Sequence, residues 1–112
     1  MEETVLCASS AYEQKYYLNP QFDGLPSQIK DELNIMCVLF TEDVGGIIEL
    51  VFVEEGTLLI RTDADEGDLL YDDIGSGLKV RAMQREKVEL LESLELYYKV
   101  KFMGNDMNSL RN

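Results

Sequence analysis

The run from Gly45 to Asp63, GGIIELVFVEEGTLLIRTD, is compatible with few folds. β-Branched and aromatic residues fill two arms, roughly Ile47 to Val53 and Thr57 to Thr62, and Glu54-Glu55-Gly56 supplies a turn, so the run reads as a β-hairpin. Strand alternation puts Ile48, Leu50 and Phe52 opposite Leu58 and Ile60 on one face. It puts Ile47, Glu49, Val51 and Val53 opposite Leu59 and Arg61 on the other. The first face is wholly apolar and must be covered. An isolated hairpin is marginal in water, so helices from before and after it have to pack there.

Two segments have the required periodicity. From Pro26 to Val44, residues Ile29, Leu33, Met36, Cys37 and Phe40 recur at helical spacing, and Pro26 suits a first helical position. Ile35, Val38 and Leu39 lie elsewhere on the wheel, so the last two turns are apolar nearly all round, either deeply buried or carrying an intermolecular surface. Gly45-Gly46 ends this helix. A second, long helix is expected from about Leu78 to Phe102, with Val80, Met83, Leu90, Leu91, Leu94, Tyr97 and Tyr98 on one stripe. Glu95 and Lys99 form a favourable exposed pair on it, and Gly104 is its C-cap. Tyr98 to Phe102 also alternates, which permits a short terminal strand.

The N-terminal segment admits two readings. Thr4 to Cys7 look extended, whereas Ser10 followed by Glu13 makes a capping-box pattern that would open a helix from Ala11 to about Leu18, stopped by Asn19-Pro20. Such a helix would gather Tyr12, Tyr16 and Tyr17 into an aromatic ridge. The expected fold class is α+β: a small antiparallel sheet centred on the hairpin, covered by two main helices, with an extra N-terminal helix or strand. One domain spanning residues 1–112 is expected, with frayed ends at 1–8 and 105–112.

Composition narrows the function. Hydrophobic residues make up 46% and charged residues 29% of the 112, so the chain folds rather than staying disordered. The net charge of −12 argues against nucleic acid and anionic membrane as partners, since phosphate binding needs a basic face. Residues 1–78 hold 17 acidic and 3 basic residues, whereas 79–112 hold 5 and 7, so the C-terminal segment complements the body within one chain or between two copies. Cys7 and Cys37 lack CxxC spacing and follow no secretory signal, and read as reduced thiols of a cytoplasmic protein. The longest apolar run, Ile35 to Phe40, is too short to span a membrane.

Catalytic vocabulary is sparse. Histidine is missing, which removes the commonest general base and transition-metal ligand. No Walker loop or dinucleotide fingerprint is present. No catalytic residues and no cofactor are expected, and the chain is not expected to be an enzyme. The one metal candidate is the acidic loop beginning Asp63, Asp65 and Asp68; it starts like a calcium loop and then fails, with Gly67 one position early and Ile74 where a bidentate glutamate belongs.

The stretches SAYEQKYYLNP (Ser10 to Pro20), GLP (Gly24 to Pro26), FTEDVGGII (Phe40 to Ile48) and REKVELLESLELYYKV (Arg85 to Val100) carry a resemblance over nearly the whole chain. It resembles a family of small, acidic, uncharacterised proteins of Firmicutes, in particular gut clostridia. The resemblance implies a bacterial cytoplasmic protein and supplies no activity. From the residues themselves the expected function is a small non-enzymatic interaction or adaptor protein acting as a homodimer. Ile35, Leu39, Val51, Val53 and Leu59 are its candidate interaction surface. Two alternatives stand beside it: an acidic chaperone or immunity-type protein binding a basic partner, and a small-ligand or divalent-cation sensor using the tyrosines and the acidic loop. The sensor requires a concave pocket containing Tyr12, Tyr16 or Tyr17.

Overall fold

The computed structural model describes residues 2–104; the expected frayed end at 105–112 lies outside them. The hairpin forms as the sequence requires, with β3 at Ile47–Phe52 and β4 at Leu58–Asp63. Leu50 pairs with Ile60 and Phe52 with Leu58 on the inner face; Val51 pairs with Leu59 and Glu49 with Arg61 on the outer.

Residues 4–18 form two strands, β1 at Thr4–Ser10 and β2 at Lys15–Leu18, so no helix exists at Ala11–Leu18. The capping interaction is nevertheless real, because the Glu13 backbone N–H donates to Ser10 Oγ at 3.2 Å. Gln14 then takes a left-handed φ of 53°, which no helix continues, and the chain returns as β2. The third strand is therefore β1, and the C-terminal strand alternative at Tyr98–Phe102 is not realised. The sheet is antiparallel in the order β2-β1-β3-β4. A bulge between Val5 and Cys7 lets the consecutive Leu6 and Cys7 both reach full burial. Asn19 satisfies the carbonyls beside it, with its side chain donating to the Val5 oxygen at 2.7 Å and its backbone N–H to that of Leu6 at 2.9 Å. The same side chain caps a short 3-10 turn, Pro20–Phe22.

Helix α1, Ser27–Val44, lies on the inner face and buries Leu33, Met36, Cys37, Phe40 and Val44. Pro26 sits one residue earlier than expected, as the N-cap. The long C-terminal helix is two helices, α2 at Asp73–Glu86 and α3 at Val88–Phe102, broken at Lys87 with φ −111° and ψ 27°. The apolar stripe survives the break: Leu90 and Leu94 are buried, and Val80, Met83, Leu91, Tyr97 and Tyr98 pack against the core. Ion pairs from Lys79 to Asp43 at 2.6 Å and from Lys87 to Glu32 at 3.0 Å tie the basic segment to acidic α1 within one chain. Glu95 does not serve an exposed pair with Lys99; its carboxylate accepts from the Leu58 N–H at 2.7 Å.

An aromatic cluster closes one end of the core. Phe22 meets Phe52 at 5.7 Å, Tyr98 at 6.5 Å and Phe102 at 4.9 Å between ring centroids, and Phe52 stacks on Tyr98 at 4.2 Å. The other end turns on Gly46, whose φ is 70° and whose added Cβ would fall 2.5 Å from the Asp63 carbonyl and 2.6 Å from the Tyr71 ring. The molecule is thus an α+β protein with, among the described residues, three α-helices on one side of a four-stranded antiparallel sheet.

Candidate functional site

The connection from β4 to α2 is held at two places and pushed outward between them. Tyr12, in the β1–β2 turn, donates its hydroxyl hydrogen to Asp68 Oδ2 at 2.6 Å and accepts from the Asp65 N–H at 2.8 Å. This bond, followed by the Leu70 N–H, holds the Asp68 carboxyl below the usual range; the same bond to Asp68 raises the Tyr12 phenol. Further on, Tyr71 packs over Gly46 and donates its hydroxyl hydrogen to Ser76 Oγ at 2.7 Å, and the Asp72 N–H reaches the Val44 carbonyl at 3.2 Å. Asp72 caps α2 by accepting from the Gly75 N–H at 2.9 Å.

Between these anchors Leu69 and Leu70 are 94% and 93% exposed. Ile74 and Leu78, at 78% and 57%, follow one helical turn apart on the same side of α2. Burial of such side chains is the main source of folding free energy, so four left this bare in ten residues are not explained by folding. Asp65, Glu66, Asp68, Asp72 and Asp73 are interspersed with them, and among the described residues no lysine or arginine is paired with any of these acids. Sequence periodicity missed this feature because two adjacent leucines in a glycine-punctuated loop fit neither helical nor strand spacing. Their flanking acids were the available signal.

The residues singled out from sequence are dispersed. Asp63, Asp65 and Asp68 do not assemble a cation site: Asp63 accepts from the Ala64 N–H, Asp68 is engaged by Tyr12 and the Leu70 N–H, and among the described residues no group of three or more candidate ligands comes together. The tyrosines form no ridge. Tyr12 binds the acidic loop, Tyr16 faces the helices and Tyr17 the outer sheet surface. Ile35 and Leu39 are exposed on α1, on the opposite side of the sheet from Leu59, so they are not one surface with it. Val51 is wholly buried although it points outward, and Val53 is half-buried. Arg61 bridges Glu3 and Glu49 at 3.0 and 3.2 Å on that face, while Tyr17 and Leu59 remain exposed.

A second locus lies where β1 meets α1. Cys7 and Cys37 are free thiols with Sγ atoms 3.8 Å apart, and the next inward pair, Ser9 and Thr41, are hydrogen-bonded at 2.9 Å. A cleft of about 580 Å³ runs against this pair and is lined by Ser9, Lys15, Tyr16, Val38, Thr41 and Glu42. Tyr16 lines this cleft, and Tyr12 and Tyr17 do not.

Fold and site define a small α+β protein with Tyr17 and Leu59 exposed on its outer sheet face and an exposed acidic and apolar run at the start of α2. The chain belongs to a family of unknown function, DUF6145, whose model matches residues 3–106. No curated protein and no solved structure matches it. None of its described helices is long and apolar enough to cross a membrane.

Proposed function

We propose that the chain is a non-enzymatic interaction protein of the bacterial cytoplasm that docks through the run Asp65 to Leu78 onto a partner with an apolar groove rimmed by lysine or arginine. The observation that carries this reading is the exposure of Leu69, Leu70, Ile74 and Leu78 among five carboxylates. Apolar contact supplies the affinity and the carboxylates select a basic rim and speed encounter. The same surface suits a chaperone- or immunity-type protein that covers a basic partner.

Two copies joined run to run would bring their carboxylates together, so self-association belongs elsewhere. We assign the homodimer to the outer sheet face around Tyr17 and Leu59, which no described helix covers. Light scattering at high concentration should give a dimer for the wild type and a monomer for the double variant Tyr17→Ser, Leu59→Ser. A monodisperse wild-type monomer would contradict that assignment.

The docking reading is tested by titrating the protein with a synthetic helical peptide of leucine on one face and lysine on the other. The double variant Leu69→Ser, Leu70→Ser should bind about tenfold or more weakly, since full burial of one such side chain contributes about 1.5–3 kcal/mol. Its stability should stay within about 0.5 kcal/mol of wild type, as expected for surface positions. Added salt should weaken binding further. Equal affinity of variant and wild type would remove the run from the interface.

A further inference from the structure

The two sulfurs in the core sit in a polar alignment that packing alone does not call for. Cys7 and Cys37 are fully buried and in contact at 3.8 Å, close to the separation of near-attack partners, about 3–3.5 Å. Ser9 follows Cys7 on the same face of β1 and Thr41 follows Cys37 by one turn of α1, so their hydrogen-bonded hydroxyls stand next to the sulfur pair. Tyr16 Oη is buried against Cys7 without a hydrogen bond of normal geometry. Desolvation, followed by the neighbouring Cys7 sulfur, pushes its phenol up, so it stays protonated: a donor that lacks an acceptor. The cleft between the β1–β2 turn and α1 ends on Ser9, Thr41 and Tyr16, the residues that adjoin the sulfurs.

We propose that Cys7 and Cys37 are a modification site, a dithiol that a small hydroperoxide entering by this cleft converts into an intramolecular disulfide. The Cys7 sulfur attacks the peroxide O–O bond, forming a sulfenic acid, and its thiol proton leaves with the other oxygen as an alcohol, or as water when the oxidant is hydrogen peroxide. The Cys37 sulfur then attacks the sulfenic sulfur; the S–O bond breaks, the S–S bond forms, and the Cys37 proton departs with the hydroxyl as water. The two sulfurs lose two electrons and the peroxide gains them. Cys37 is placed for the second step by its contact with Cys7 at 3.8 Å; its hydrogen bond with Cys7 and its burial push its thiol up, so its proton leaves only as the S–S bond forms. Tyr16 donates to the sulfenic oxygen as it forms on Cys7, which gives its hydroxyl the acceptor it lacks.

The test exposes the folded, reduced wild-type chain to hydrogen peroxide, removes the peroxide, unfolds the protein and alkylates it with a maleimide. Intact mass spectrometry should show a monomer lighter by two hydrogens that takes up no maleimide, and dithiothreitol should restore both reactive thiols. Tyr16→Phe should form the disulfide about fivefold more slowly, the loss expected when one neutral hydrogen bond is removed. The proposal is overturned if both cysteines remain alkylatable after an exposure that fully oxidises free cysteine, or if the only disulfide formed joins two chains.

Discussion

Single hydroxyls and single glycines decide where the exposed run stands. Tyr12 is the tie between the β1–β2 turn and the acidic loop, so Tyr12→Phe should speed amide exchange at Asp65 and Leu70 without changing the global fold. The pH dependence of this tie has a definite sign. Asp68 has its carboxyl lowered in the folded protein, so its contribution is complete above the ordinary carboxylate value of about 4 and is lost as pH falls through the depressed folded value. Protection of the Leu70 amide, taken relative to its intrinsic exchange rate at each pH, should accordingly fall in acid and be constant near neutrality. Gly46 is constrained differently: Gly46→Ala should cost at least about 2 kcal/mol in denaturant unfolding, because positive φ and a backbone clash coincide. Glu95→Ala should cost about 1–3 kcal/mol, since it leaves the Leu58 N–H without its acceptor. Such bonds are hardly legible in sequence. Glu95 lies four residues before Lys99 and satisfies a helix-surface rule, yet a partner from β4 takes it.

Elements were legible where periodicity was strong and misleading where a local motif was shared between structures. The hairpin register, both its faces and the α1 core positions follow from alternation and helical spacing alone. The Ser10–Glu13 bond was also legible, but it closes a strand-connecting turn as readily as a helix N-terminus; the pairing of Tyr16 with Ser9 and Leu18 with Cys7 decides for strands. The break at Lys87 left no mark on the apolar stripe, since both helices face the same core. Phe22 shows how much a short turn can matter. It is wholly buried among Phe52, Tyr97, Tyr98 and Phe102, so Phe22→Ala should destabilise by about 3–5 kcal/mol, measured by chemical denaturation.

For the molecule as a whole, the charge asymmetry seen in the sequence is partly spent inside the chain, where Lys79 and Lys87 meet Asp43 and Glu32. Among the acids in no ion pair, Asp65, Glu66, Asp68, Asp72 and Asp73 lie beside the bare leucines of the α2 entrance. Surplus apolar surface was legible from composition; its place was not, because Val51 is wholly buried while Leu69 and Leu70 are turned out by anchors distant in sequence. The most direct measurement is a backbone amide chemical-shift titration of the labelled protein with the leucine–lysine peptide. Docking at the α2 entrance should confine the shifts to Asp65 through Leu78 and to Tyr12 beneath them. Shifts centred on the outer sheet strands or on Ile35 and Leu39, or no shifts at all, would contradict it.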